Sequence, residues 1–255
     1  MSPLPFVPSL GTYFTPADGF RHAIISTPDG ELHEIYFNPK VGGGARNATL
    51  GSFCGLHLLT AFYTPDDGLQ HPLVATATGD VFEVSYKPGS FNVTGSLVNF
   101  PNLIALSGFF AGNDNMRIFI AGTSDGLIHE VFFDAQTHVH ITQPALANFP
   151  GLTHLAAFYT DDDQYRHVIV ATADGNITEI WYSAATGIHI TNPPLANFQG
   201  IVSIGAFYAA NDQMRIVIVA TSDGLIHEIF YKSAIGVHIT QPALANFPGV
   251  LAISA

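Results

Sequence analysis

Cysteine, tryptophan and positive charge are the scarce components of this 255-residue chain. The single cysteine, Cys54, excludes an internal disulfide framework; it fits a reducing compartment and reads as a small core residue. Eight Lys and Arg against twenty Asp and Glu leave a net charge of −12, which argues against nucleic acid or an anionic membrane as partner. No apolar run reaches the roughly 18 residues a membrane helix needs, so no membrane insertion is expected. The first residues, Met1-Ser2-Pro3-Leu4-Pro5, lack the basic and apolar blocks of a secretory signal. The expected location is cytoplasmic, or secreted without a classical signal peptide; only on the second route do the sequons at Asn47, Asn92 and Asn176 matter.

What the chain has in quantity is glycine, proline and apolar residues. With 47% hydrophobic and 11% charged residues, 24 Gly and 16 Pro, it suits an all-β protein with many tight turns. It also has internal repeats. TSDGLIHE occurs at Thr123–Glu130 and Thr221–Glu228, and HITQPALANFPG at His140–Gly151 and His238–Gly249. Both offsets are 98, twice 49. In that frame a glutamate recurs at Glu34, Glu83, Glu130, Glu179 and Glu228, and a phenylalanine at Phe53, Phe100, Phe149, Phe198 and Phe247.

Each copy reads as four short strands. In the fourth, His154–Thr160 makes a first strand of small residues and aromatics, and Asp161-Asp162-Asp163 a polar turn. Arg166–Thr172 is rich in β-branched residues. Asp174-Gly175 predicts a tight hairpin with both central residues at positive φ. Ile177–Tyr182, a turn at Ala184–Gly187 and an outer strand at Ile188–Thr191 complete the unit; Asn192–Gly200 leads onward. Four strands in about fifty residues make a propeller blade. The expected fold is one all-β domain, a five-bladed β-propeller with four antiparallel strands per blade. Its blades cover 7–55, 56–102, 103–151, 152–200 and 201–249, with a closing segment 250–255. An open β-solenoid would need polar caps that neither end shows. Leu10–Thr15 and the last residues both resemble a first strand; the N-terminal one is expected to take that place, with the last residues beside it or frayed.

The repeated polar residues are few. Thirteen residues before the glutamate stands an arginine in four blades, Arg21, Arg117, Arg166 and Arg215, with Gln70 in blade two. A threonine lies seven before it in all five: Thr27, Thr76, Thr123, Thr172 and Thr221. An arginine and a carboxylate on neighbouring antiparallel strands can meet across a hairpin and grip vicinal hydroxyls of a sugar. They can equally tether strands or satisfy a buried carboxylate between blades.

The first strands, Leu155-Ala156-Ala157-Phe158-Tyr159 and the terminal Leu251-Ala252-Ile253-Ser254, resemble the inner strands of the fungal and bacterial fucose-specific lectin propellers. So does the hairpin of Arg, β-branched strand, Asp-Gly and Ile-x-Glu. The resemblance implies that an Arg and a Glu of one blade bind sugar with the help of aromatics: Arg21 with Glu34, Arg117 with Glu130, Arg166 with Glu179, and Arg215 with Glu228. Three features depart from that family's pattern. There are five blades, as in tachylectin-like lectins, where six are usual. The Arg-to-Glu spacing is about one residue longer, which could turn the Arg to the other face of its strand. Trp181 is the sole tryptophan.

Aromatic faces for a sugar ring recur at Tyr13, Phe62, Phe109, Phe158 and Phe207 and beside them at Phe14, Tyr63, Phe110, Tyr159 and Tyr208; one ring of each pair is expected in the blade core. Among twelve histidines, His140, His189 and His238 are equivalent, as are His33, His129 and His227, and His138 with His140 has chelating spacing. A structural role is expected for these, with no metal and no cofactor. A glycosidase would need unique acids in particular blades, yet the blade-specific ones, Glu31, Asp134 and Asp163, are expected in turns. The sequence therefore reads as a non-catalytic, multivalent carbohydrate-binding protein with glycans or glycoproteins as partners and sites at blade edges or between blades. Self-association is left open. A protein-interaction scaffold is the alternative, and a glycoside hydrolase the third. Blades one and two diverge most, at 41–48 and 89–97, so sites are expected at blades three to five.

Overall fold

β-branched and aromatic residues crowd the second and third strand of each repeat and dictate extended chain there; glycine and polar residues break it between them. The computed structural model describes residues 10–16, 18–46, 49–87, 90–133, 139–232 and 235–254. Met1–Pro5, Asn47, Asp134 and His138 lie outside them. Blade one contains β1 Leu10–Thr15, β2 Phe20–Ser26, β3 Glu31–Asn38, β4 Gly42–Ala45 and β5 Gly51–Ser52. Blade two contains β6 Leu56–Thr64, β7 Leu69–Thr76, β8 Asp80–Lys87, β9 Ser90–Val93 and β10 Val98–Asn99. Blade three contains β11 Leu103–Ala111, β12 Met116–Thr123, β13 Leu127–Phe133, β14 Val139–Ile141 and β15 Ala147–Asn148. Blade four contains β16 Leu152–Tyr159, β17 Arg166–Thr172, β18 Asn176–Ser183, β19 Gly187–Ile190 and β20 Ala196–Asn197. Blade five contains β21 Ile201–Ala209, β22 Met214–Thr221, β23 Leu225–Lys232, β24 Gly236–Ile239 and β25 Ala245–Asn246.

Each sheet runs first to fourth strand in antiparallel order, and the fold is a five-bladed β-propeller. A two-residue fifth strand, absent from the sequence reading, pairs with the third strand in every blade. Glu31 opens β3 rather than lying in a turn, because it pairs with Ser52 of that extra strand. Cys54 is exposed, not core.

The chain divides into two compact units, Met1–Leu103 with blades one and two and Ile104–Ala255 with blades three to five. In each unit the core lies between neighbouring blades. Ile24, Leu32, Leu59, Val74 and Val84 form one cluster in the first unit. In the second, Ile118, Ile120, Val168, Val170 and Ile180 join blades three and four, and Ile169, Ile177, Val217, Val219 and Ile229 join blades four and five. A blade covered on both faces needs strands apolar on both sides, hence the unbroken run of buried residues from His167 to Ala171.

The Asp-Gly hairpin differs from the two-residue turn predicted. Gly175 N–H donates to Thr172 O (2.8 Å), so Ala173 and Asp174 are the central residues and only Gly175 has positive φ, 87°. This is a three-residue hairpin closed by a glycine bulge. Thr172 Oγ1 caps it by donating to Asp174 Oδ1 (2.6 Å). A Cβ at Gly175 would lie inside contact distance of the Phe198 carbonyl oxygen, while Phe198 N–H donates to Gly175 O (2.9 Å). The repeated Phe thus marks where the outgoing loop crosses back over the hairpin. At the C-terminus, Leu251–Ser254 forms no strand; Ile253 N–H donates to Ser203 Oγ of β21 (3.1 Å).

Candidate functional site

Strand parity decides where the repeated arginine and glutamate go. In blade four Arg166 sits opposite Tyr182 and Ile169 opposite Glu179. Cross-strand partners share a face, and residues three apart on one strand point to opposite faces. Arg166 and Glu179 therefore project from opposite sides of their blade. The same register separates Arg21 from Glu34, Arg117 from Glu130 and Arg215 from Glu228. The four in-blade pairs implied by the resemblance are not formed.

One of these arginines, Arg166, instead meets the glutamate of the preceding blade. Between blades three and four, Arg166 Nη1 donates to Glu130 Oε1 (2.7 Å) and Nη2 pairs with Asp114. Tyr182 Oη also donates to Glu130 Oε1 (2.8 Å), and Thr142 Oγ1 donates to Oε2 (2.7 Å). Glu130 is 3% exposed, so these bonds are what make its burial tolerable. Burial, then the charge of Glu130, push the Tyr182 phenol well above its ordinary value and keep it a donor. Phe132, Met116 and Ile188 add apolar wall to a cleft of about 400 Å³.

Between blades four and five the equivalent residues are wired differently. Tyr231 Oη donates to Glu179 Oε1 (2.7 Å), and His167 Nδ1 approaches the same oxygen at 2.8 Å. Arg215 Nη2 pairs with Asp163, while its Nε is buried without a partner. Trp181, Tyr165, Val237 and Thr191 complete a cleft of about 650 Å³. Arg215 and Glu179 both face this space without bonding each other, leaving guanidinium donors and a carboxylate oxygen for a ligand.

In the first unit the corresponding position is filled. Glu34 accepts from Tyr86 Oη (2.9 Å), His22 Nδ1 lies 2.7 Å away, and Arg46 Nε binds the other oxygen. Burial favours the neutral acid, but the His22 and Arg46 bonds outweigh it and lower the Glu34 pKa. Gln70 accepts from Tyr13 Oη (2.8 Å), and Tyr13 and Tyr86 hydroxyls touch at 2.5 Å. Arg46 occupies the position held by Thr94, Thr142, Thr191 and Thr240 in other blades, so blade one supplies its own cation where blade two has Gln70. Of the remaining named residues, Arg21 is exposed, Arg117 is buried, and Glu228 accepts from Thr240 Oγ1 (2.6 Å).

Three blades carry a buried chain of polar groups behind the glutamate: His22 with Thr15, His71 with Thr64, and His167 with Thr160. Nε2 lies 3.0, 2.8 and 3.1 Å from the threonine oxygen respectively. Burial would lower the His167 pKa, but bonds to Asp163 and Glu179 outweigh it and raise it. Burial would raise the Asp163 carboxyl; bonds from His167 and Thr160 hold it well below the carboxylate range. Thr160, His167 and Glu179 have the order of a hydrolase triad. Thr160, however, is fully buried and its hydroxyl donates to Asp163, so it is a tether and not a nucleophile.

The first-strand aromatics do not line these clefts. Phe62 and Phe158 are buried and stack on His71 and His167 (5.5 and 5.1 Å), and Phe109 is buried too. Besides Tyr165, Tyr182 and Tyr231, the cleft rings are Phe132 and Trp181, two residues beyond the glutamate and on its face. Sequence reasoning missed these, along with the tyrosine three beyond the glutamate (Tyr86, Tyr182, Tyr231) and the histidine one beyond the arginine, or beyond Gln70 in blade two (His22, His71, His167). All three positions recur in register, so the repeat itself held the signal. His140 and His189 stack on Phe132 and Trp181, and no cluster of potential metal ligands occurs among the described residues.

Neither a protein-family model nor a curated protein matches the chain. Solved structures do match. The SapL1 lectin in complex with alpha methyl fucoside superposes with a TM-score of 0.74 at 15% identity, over 99% of this chain and 86% of that one. AofleA from Arthrobotrys oligospora gives 0.73 at 14%, over 97% and 76%. The fucose-specific lectin from Aleuria aurantia gives 0.72 at 13%, over 95% and 80%. The shared feature is the propeller fold of the fucose-specific lectins.

Proposed function

We propose that the chain is a non-catalytic, multivalent carbohydrate-binding protein whose sugars enter the clefts between adjacent blades, with the cleft between blades four and five as the main site. The observation that carries this reading is Arg215: a guanidinium with a buried, unpartnered Nε, beside a glutamate and a tryptophan in a 650 Å³ cleft. A sugar hydroxyl pair accepts from an arginine and donates to a carboxylate, while its C–H surface packs on an aromatic ring. The cleft offers all three. The lectins with the same fold support the class of ligand, one of them being a fucoside complex. Repetition supports avidity, since linked weak sites add up on a glycosylated surface.

A glycan array probed with the labelled protein tests this, followed by competition with free methyl glycosides. Binding displaced by a monosaccharide is the expected result. Silence across the array from a folded protein would discard the reading in favour of a protein-interaction scaffold. Release of reducing sugar from a bound glycoside would discard the non-catalytic part.

A further inference from the structure

Trp181 is the sole tryptophan of the chain and a wall of the larger cleft. Its ring is held from two sides. His189, its direct partner on the outer strand β19, stacks on it with ring centres 4.0 Å apart and planes within 12°. Tyr165 meets it edge to face at 5.0 Å and 82°. His189 is fixed in turn: its Nε2 lies 3.2 Å from Thr186 O in the turn that precedes β19. His189 is not among the residues lining the cleft, so it touches the tryptophan and not the cavity.

The arrangement recurs where an aromatic stands two residues after the glutamate of blades three to five. Phe132 pairs with His140 (5.1 Å, 16°) and Phe230 with His238 (5.3 Å, 14°). His238 Nε2 is likewise 2.8 Å from a turn carbonyl, that of Ile235. Blades one and two lack the device: Gly44 faces Tyr36, and Asn92 faces Ser85.

We infer that His189 is a positioning residue for ligand recognition: through its turn-anchored stack it fixes the Trp181 ring in the orientation that the cleft between blades four and five presents to a sugar. The inference rests on the carbohydrate reading of that cleft. A large aromatic ring on an otherwise mobile χ pair loses rotamer freedom when it meets a ligand; a ring already clamped has lost it on folding. The imidazole supplies a flat parallel surface, so a phenylalanine should replace it and an alanine should not.

Trp181 is its own reporter, because all tryptophan fluorescence comes from this site. The wild-type protein, H189A and H189F are titrated with methyl glycosides of L-fucose, D-galactose and D-mannose, following tryptophan emission and heat of binding together. The expected result is saturable change in the wild type, about tenfold weaker affinity in H189A and recovery to within about threefold in H189F, the range an aromatic pair spans. Should H189A lose its cooperative melt, H189L takes its place, keeping an apolar cover without a ring. Equal affinity in wild type and H189A, or H189F as weak as H189A, overturns the role of the stack and leaves the carbohydrate reading standing. Heat of binding without any change in emission also overturns it, since the ligand then sits away from Trp181. If no glycoside gives either signal in the wild type, the carbohydrate reading falls and this inference with it.

Discussion

The clefts on the two sides of blade four are built from residues 49 positions apart, such as Asp114 and Asp163, Glu130 and Glu179, Arg166 and Arg215, yet they are in different states. In the smaller one Arg166 uses both terminal nitrogens on Glu130 and Asp114, and Thr142 takes the second glutamate oxygen. In the larger one Arg215, among the described residues, holds Asp163. The residue that separates them is not itself part of the repeated pair. Blade four has His167 where blade three has Ile118, and the imidazole reaches the glutamate oxygen that Arg166 reaches in the other cleft. Thr191 then binds the Glu179 main chain instead of its carboxylate. The imidazole behind the glutamate thus stands in the place that the arginine takes in the smaller cleft, and Arg215 faces the larger one.

The two arginines should therefore fail in opposite ways. Arg215→Ala is expected to weaken glycoside binding in the larger cleft about thirtyfold, in the manner of a central contact residue. Its stability cost should stay under about 1 kcal/mol, because its partner is a partly exposed aspartate. Arg166→Ala should cost about 3 kcal/mol in denaturant unfolding, since it strips a buried carboxylate of its counter-charge. Equal stability losses would show that the clefts are wired alike. A smaller effect tests the shared tyrosine. Tyr182→Phe should cost about 1 kcal/mol, as Phe133 already stands at that position in blade three; a loss several times larger would mean that the hydroxyl holds the blades in register.

The smallest effect concerns pH. His167 has a raised pKa in the folded chain, so its contribution is full below the unfolded value of about 6.5 and is lost as pH rises through the folded one. Asp163 has a lowered pKa, so its contribution holds above the unfolded value and fails in acid. Between pH 6 and 9, in roughly that window, thermal stability of the wild type should decline more than that of His167→Ile, which copies the wiring of blade three. Parallel curves for the two proteins would show that the imidazole titrates alike in the folded and unfolded chain.

Much of this was legible in the residues, and the failures have physical causes. Periodicity counted five blades, and the β-branched run gave β17 its ends at Arg166 and Thr172. The glutamate and arginine were found because they recur. Their pairing was misassigned because spacing along the chain was weighed without following alternation to its end; thirteen residues across this hairpin put the two on opposite faces. The true partners lie 36 residues apart, from Arg166 back to Glu130, and only the stacking of sheets reveals that. Asp174-Gly175 suggested a two-residue turn, but the loop crossing at Phe198 needs the bulge geometry that Gly175 alone supplies.

Tyr86, Tyr182 and Tyr231 each serve a buried glutamate that lies 52 residues earlier, on the preceding repeat. Donor and acceptor are thus inherited through different copies of the same unit. A chimaera that exchanges one blade keeps that blade's secondary structure but rewrites two seams at once, bringing a foreign hydroxyl to one neighbour and a foreign carboxylate to the other. The interchangeable module in this chain is the seam, with one half of it on each side.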